Sequence, residues 1–373
     1  MIYLDNAATT RPDGEAVASA AQFLEDDFFN PSALYKAGFA AHKRVEAARK
    51  NILSLIADPA KFDLVFTSCG SESDNQALFS CARRGNFVTT EGEHAAIFSS
   101  AEELKKRGVE VRFAKIGPDG AVDCDDLLRL VDDKTSLVSV IHVGNETGAV
   151  NDIASIAASV KKKNPRAFFH SDGVQAFGKL PFRLTADIDF YSVSAHKIGG
   201  VRGIAGLFRN RNKNLFPLIC GGGQEGGLRS GTENTFGIMQ FEAAARKKFS
   251  RLIPDLERMR FYNDYFRGAL DKDIFQVLSP ENGSPYILSV SAMGLRGEVL
   301  QHMADDRGVL IGTGSACSSR HRYSRVILAC GYGEKIADGV IRISFSPETT
   351  EEECKEGAAL INECARELAK RMN

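Results

Sequence analysis

The chain has 373 residues, more than one hydrophobic core usually serves, and a composition of 43% hydrophobic and 25% charged residues excludes a disordered, collagenous or low-complexity protein. Its 47 Lys and Arg against 48 Asp and Glu leave a formal charge of -1, with no basic excess for a phosphate backbone and no polybasic tail for anionic lipid. The N-terminal MIYLDNAATT has no basic segment followed by an apolar run, and no later run is long enough to span a bilayer, so the expectation is a cytoplasmic protein with neither membrane nor direct nucleic-acid partners.

From about Lys61 to Phe208, short apolar β-rich runs alternate with helical patterns, the signature of a parallel sheet covered by helices. The predicted strands are Asp63 to Thr67, Asn86 to Thr90, Val109 to Ala114, Thr135 to Val143, Ala167 to Ser171, Asp189 to Val193 and Gly203 to Phe208. Several are apolar on both faces, as LVSVIHV is, which suits strands buried between helices. Ser71 is expected to cap a helix running to about Arg84, and Asp152 to cap one whose Ile153, Ile156, Ala157 and Val160 form a single stripe.

A glycine-rich loop, CGGGQEGGLRSGTEN, precedes an amphipathic stretch from about Asn234 to Leu270 that predicts one or two long helices. Strand and helix signals resume at Phe275, and Thr349 with Glu352 predicts a capping box opening the last helix. The expected fold class is therefore α/β: a large domain over residues 14–255, with a mostly parallel seven-stranded sheet between helices, and a smaller α+β domain from residues 1–13 and 256–373.

The eight cysteines are scattered, with no C-x-x-C pair and no His at zinc-ligand spacing, so neither a disulfide framework nor a metal site is expected. Cys330 and Cys364 fall within helical patterns and predict packing residues. Ligands of open parallel sheets bind beyond the carboxyl ends of the strands, where this chain carries SCGSESDN, EGEH, GNETG, SDGVQ and SAHK. Lys197, just after an apolar strand and before glycines, is placed to lose hydration and act as an amine nucleophile able to form a Schiff base; a solvated strand-end lysine is the plain alternative. Asp172 ends a strand expected at the sheet centre and calls for a cationic partner such as a protonated pyridine nitrogen, unless it merely caps a helix. Gly70 and Ser71 at a helix start offer free N–H groups to an anion, with Ser194, His196 and Thr232 as further donors.

Taken together, YLDNAATT, NPS, TSCGSESDN, EH, GNETG, SDGVQAFGK, SAHKIGG, GGGQEGGLRSGTEN, GSACSS and IRISFSPETTEEE, in this order, resemble the NifS- and IscS-type cysteine desulfurases of the class V aminotransferase group, over nearly the whole chain. The resemblance implies the fold type I of pyridoxal 5'-phosphate (PLP) enzymes, with Lys197 carrying the cofactor, Asp172 pairing with its pyridine nitrogen, His94 stacking on its ring and Gln175 bonding its phenolic oxygen. Gly70, Ser71, Ser194, His196 and, from the neighbouring subunit of a homodimer, Thr232 would hold the phosphate, and Asn145 and Arg342 the substrate carboxylate.

Cys317 distinguishes this reading from ordinary transamination. It lies in a Gly/Ser segment followed by Arg320, His321 and Arg322, which predicts an exposed, mobile loop whose surroundings favour the thiolate. The implied reaction takes L-cysteine to L-alanine, leaves the sulfur on Cys317 as a persulfide, and delivers it to an acceptor such as an iron-sulfur scaffold or a thiolation enzyme. The rival readings are a selenocysteine lyase or a small-amino-acid aminotransferase on the same fold and, from another class, a catalytically silent interaction scaffold. Cys69, Gly70 and Ser71 stand where Gly, Ala and Thr are more usual in the group, and Gly144 where an Asn is.

Overall fold

The structure, a computed structural model, describes residues 1–313 and 322–372. A short strand β1 (Ile2–Leu4) leads to helices α1 (Gly14–Asp26) and α2 (Lys36–Ile56). Strands and helices then alternate: β2 (Phe62–Thr67), α3 (Gly70–Cys81), β3 (Asn86–Thr90), α4 (Ala95–Lys106), β4 (Glu110–Ala114), α5 (Cys124–Leu130), β5 (Thr135–Ser139), α6 (Ile153–Lys163), β6 (Phe168–Asp172), β7 (Phe190–Ser194) and β8 (Ala205–Asn210). The remainder is α7 (Thr235–Ser250), α8 (Leu252–Ala269), β9 (Phe275–Val277), β10 (Ile287–Ala292), α9 (Gly297–Asp306), β11 (Val309–Thr313), α10 (Arg325–Ala329), α11 (Glu334–Asp338), β12 (Val340–Ser344) and α12 (Glu351–Met372).

Strands β2 to β8 form a seven-stranded sheet in the order β2-β8-β7-β6-β5-β3-β4, parallel except for β8. Alternation of side chains along each strand divides its two faces. Leu64 and Phe66 of β2, Val138 of β5 and Tyr191 and Val193 of β7 pack with Ile52 and Ile56 of α2 and Ile156 and Val160 of α6. Their neighbours Val65, Leu137 and Phe190 pack with Leu78 of α3 and Ile97 and Leu104 of α4. Helices therefore cover both faces, and β6 lies at the centre, as its apolar content requires.

The second sheet has the order β1-β11-β12-β10-β9, with β1 parallel to β11 and the other pairs antiparallel. Ile2 and Leu4 from the start of the chain share its core with Met259 and Phe266 of α8 and Ile361 and Ala365 of α12. Its middle strand β12 carries Arg342.

Three local expectations are corrected. Strand β5 stops at Ser139 rather than Val143: Val140 and His142 still bond β6, but the Ile141 N–H turns to the buried Glu93 carboxylate, 2.9 Å away, instead of a carbonyl of β3. The last helix is opened by Thr350 and Glu353, whose side chains and N–H groups bond reciprocally at 3.1 and 2.9 Å, because Thr349 Oγ1 is already taken by the Ser346 N–H. Helix α3 ends at Cys81, short of Arg84, and Cys69, whose side chain makes no capping hydrogen bond, holds the cap position expected of Ser71. Asp152 does cap α6, accepting from Ser155 N, and the four stripe residues are buried. The stretch from Asn234 to Leu270 is two helices, and Cys330 and Cys364 are buried.

Candidate active site

Strands β2, β3, β5, β6 and β7 share one direction, so their carboxyl ends open on the same edge of the sheet. Asp172 is the last residue of β6 and Ser194 the last of β7, with Ala195–Lys197 following as one turn of 3-10 helix. The half-buried Lys197 points its Nζ to the carbonyls of Ala7 and Ala8, at 2.6 and 2.7 Å. Gln175 donates to the same Ala7 carbonyl at 2.8 Å and accepts from the buried Lys179 Nζ at 2.7 Å, which fixes the amide with its NH2 toward Lys197. His196 Nδ1 lies 3.1 Å from Thr9 Oγ1, and Thr10 Oγ1 donates to the His196 carbonyl. The segment after β1 is thus folded against the strand ends and joins Lys197, Gln175 and His196.

At the start of α3 the N–H groups of Gly70 and Ser71 have no intrahelical acceptor. A Cβ on Gly70 would stand only 2.9 Å from Val174 Cγ2 and 3.7 Å from Ser194 Cβ, so glycine lets the helix end approach β7. Ser194 Oγ is buried there and has no hydrogen-bond partner among the described residues. Ser71 is exposed in a hollow that it shares with Asn75, His94 and Ser99. The glycine-rich loop between β8 and α7 is pinned on either side of its bend, by Glu225 to Arg49 and by Arg229 to Glu72, each at 2.8 Å. Glu225 holds a left-handed φ of 51° under that clamp. Thr232 lies beyond the clamp, exposed, and bonds none of the site side chains among the described residues.

Charge at the base of the site is dominated by carboxylates. One side-chain atom each from Asp74 of α3, His94 and Asp172 lie within 4.8 Å of one another, and both acids are buried. Asp172 Oδ1 accepts from the Val174 N–H at 2.9 Å, but no helix lies between β6 and β7, so Asp172 braces a turn at the sheet centre and does not cap a helix. Burial raises the proton affinity of Asp172, against the opposing pull of His94, the Val174 N–H and Lys197. Burial raises Asp74 well above the usual carboxylate range, and the neighbouring Asp172 and Glu93 add to it. Glu93, buried with hydrogen bonds from Ile141 N and Thr90 Oγ1, is pushed up to about 8, chiefly by burial. His94 heads α4 and accepts from Ala96 N on Nδ1 at 3.2 Å; burial lowers its affinity, so it is a neutral ring with its proton on Nε2.

Arg342 is buried: it donates to the Asn145 carbonyl at 2.9 Å and to Asp5 Oδ1 at 2.8 Å. Its room is made by Gly312 on the adjacent β11, where a Cβ would meet the guanidinium at 3.1 Å. Cys317 lies outside the described residues. The segment after it is anchored against the large sheet: Arg325 donates to the Glu93 carbonyl at 2.6 Å and stacks 3.9 Å over Phe98, and Ser324 bonds Glu146.

The expected residues Lys197, Asp172, His94, Gln175, Ser194, His196, Gly70, Asn145 and Arg342 thus gather at one cleft between the two sheets. Asp5, Asp74, Glu93, Lys179 and Arg325 were not singled out from the sequence, although Asp5 lies in YLDNAATT, Asp74 in SCGSESDN, Glu93 beside His94, and Lys179 one turn after Gln175. Each acts on a neighbour through packing that spacing alone does not reveal.

The profile of the family described as aminotransferase class-V matches residues 2–356, and the chain belongs to that family. A cysteine desulfurase of Sinorhizobium fredii is 35% identical over 94% of this chain and 93% of its own. A cysteine desulfurase IscS of Dictyoglomus turgidum is 33% identical over 94% and 91%. The solved structure of a NifS-like protein superposes with a TM-score of 0.92 at 32% identity, covering 98% of this chain and all of that one. Within the class V family, the chain belongs to the NifS/IscS-type cysteine desulfurases.

Proposed function

We propose that the protein is a PLP-dependent cysteine desulfurase that converts L-cysteine to L-alanine and takes the sulfur onto Cys317. The observation that carries this reading is the meeting of the Lys197 amine, the buried Asp172 carboxyl and the Arg342 guanidinium at one cleft. The chemistry of the residues fits the cofactor. The Ser194 hydroxyl, which has no hydrogen-bond partner among the described residues, lies beside the N–H groups at the start of α3 that no helix carbonyl takes, a set that suits a phosphate, and Asp172 suits a protonated ring nitrogen.

Gly70, Ser71, Ser194, His196 and Thr232 of a partner protomer would hold the phosphate, Gln175 would use its second amide N–H on the phenolic oxygen, and His94 would lie against the ring. Lys197 is the attachment point. When bound, the cofactor supplies an electron-withdrawing ring that accepts charge from the substrate α-carbon. Lys197 Nζ then carries the α proton, a role helped by its half-buried position. Arg342 orients the substrate through its carboxylate, together with Asn145; its Nε–H is buried without a hydrogen-bond partner among the described residues and suits that contact.

The Cys317 thiolate attacks the substrate sulfur: an S–S bond forms, the C–S bond breaks with its electron pair left on the β-carbon, and a proton completes the methyl group of alanine. The persulfide is then passed to an acceptor, an iron-sulfur scaffold or a thiolation enzyme. Incubation with L-cysteine should yield alanine and, with a thiol reductant, equal sulfide. Cys317→Ser should abolish the persulfide while cysteine still perturbs the cofactor absorbance; continued sulfur transfer by that variant would overturn the assignment. Consumption of a keto acid instead would favour transamination.

A further inference from the structure

Beneath Asp172 lies a second acid that the reaction as written does not use. Asp74, in the second turn of α3, is 1% exposed, and its Oδ1 has no hydrogen-bond partner among the described residues. An oxygen of Asp74 and one of Asp172 lie within 4.8 Å. Two carboxylates this close and this dry are not both ionised unless a cation stands between them, so the pair holds a proton in the absence of one.

The surroundings decide which acid keeps it. Asp172 has the Val174 N–H on Oδ1 and feels His94 and Lys197. Asp74 faces Asp172, Glu93 and Cys69, with the Ser192 hydroxyl as its donor. The nearby His170 offers no charge: its Nε2 is 3.5 Å from Asp74 Oδ1, but it bonds Ser139 and Ser192 and is held neutral by burial, with its affinity lowered to about 3.

We propose that Asp74 is a positioning residue for the cofactor's ring: it keeps the proton of the pair, so that Asp172 stays ionised and free to pair with the ring nitrogen. The part concerning the ring rests on the function proposed above; the proton on Asp74 does not. An ionised Asp74 would compete with the ring for the charge balance of Asp172. A neutral Asp74 leaves Asp172 as the anion of the pair at the base of the site. Pairs of acids driven apart by their surroundings are a recurrent way of fixing which one bears the charge.

The test is Asp74→Asn, which has the shape of the protonated acid. In the folded apoprotein Asp74 keeps its proton where the unfolded chain has lost it, above pH ~4, so wild type loses stability as pH rises and the Asn variant lacks that loss. The urea midpoint of the apo variant should exceed that of wild type by a margin that widens from about pH 5 to about pH 8. A margin that is constant, or that shrinks, would show Asp74 ionised in the fold and overturn the proposal. After reconstitution with PLP, the variant should keep the wild-type visible spectrum at neutral pH, whereas a spectrum shifted as strongly as that of Asp172→Asn would also overturn it. Should the variant not fold, carboxyl-labelled aspartate in wild-type apoprotein provides the reading: one carboxyl carbon should remain protonated at neutral pH, and titration of every aspartate in the usual acidic range would refute the idea. The apoprotein margin needs no cofactor, so a protein that failed to bind PLP would sink the functional reading without touching this measurement.

Discussion

Two buried charged regions face each other across the cleft and are balanced in opposite ways. On the smaller sheet, Arg342 is matched by Asp5 at 2.8 Å and by the Asn145 carbonyl. At the base of the larger one, Asp172, Asp74 and Glu93 crowd together: burial is the leading cause of raised proton affinity at each, Asp172 adds to it at Asp74 and Glu93, and Glu93 adds to it at Asp74. In the first region a carboxylate already answers the buried cation; in the second, Asp74 Oδ1 and Glu93 Oε2 are buried with no hydrogen-bond partner among the described residues. Neutralising a charge should therefore weaken one region and relieve the other.

The largest effect is expected from Arg342→Ala. Removing one member of a partly buried, hydrogen-bonded pair leaves Asp5 without its partner and should cost about 2 kcal/mol in urea unfolding, with kcat/KM for cysteine falling ~100-fold or more. An unchanged stability would mean that Asp5 and Arg342 are not a functioning pair.

Asp172→Asn should act in the opposite sense on the fold. The apoprotein should become more stable, the gain growing above pH ~4 and levelling off below neutral pH, where Asp172 is ionised in the fold while Asp74 keeps its proton. Activity should fall by about 100-fold, since an amide does not hold the ring nitrogen protonated. Loss of both stability and activity would erase the contrast between the two regions.

Glu93→Gln should be milder. The Glu93 carboxyl titrates at about 8 in the fold, so wild type should lose stability progressively from pH ~4.3 to about 8, and the variant should lack this slope while keeping the hydrogen bonds from Thr90 and Ile141. An effect of similar size lies on the acid side. His142 and His170 are held neutral by burial, at about 4 and about 3, so stability should fall as pH drops below ~6.5, where the unfolded chain takes up protons that the fold refuses. His170→Gln should flatten that fall.

The order of elements was legible because apolar runs such as DLVFT and FYSVS are read directly as buried strands, and polar residues directly after them mark the ligand edge of a parallel sheet. Lys197, Asp172 and His94 could be found that way. The end of β5 could not, because Glu93, some fifty positions earlier, intercepts the Ile141 N–H. The same holds for Asp5 against Arg342 and for Asp74 beneath Asp172, pairs created by folding across long separations in the chain. One residue of slippage, as between Thr349 and Thr350, reflects two equivalent hydroxyls between which Ser346 decides.

The most direct measurement is borohydride reduction of the PLP-loaded protein followed by peptide mapping. The reduced cofactor should be found on Lys197, in the turn that follows β7, and on no other amine. Label on Lys179 or another lysine, or a protein that retains none, would contradict the assignment of this cleft as the catalytic centre.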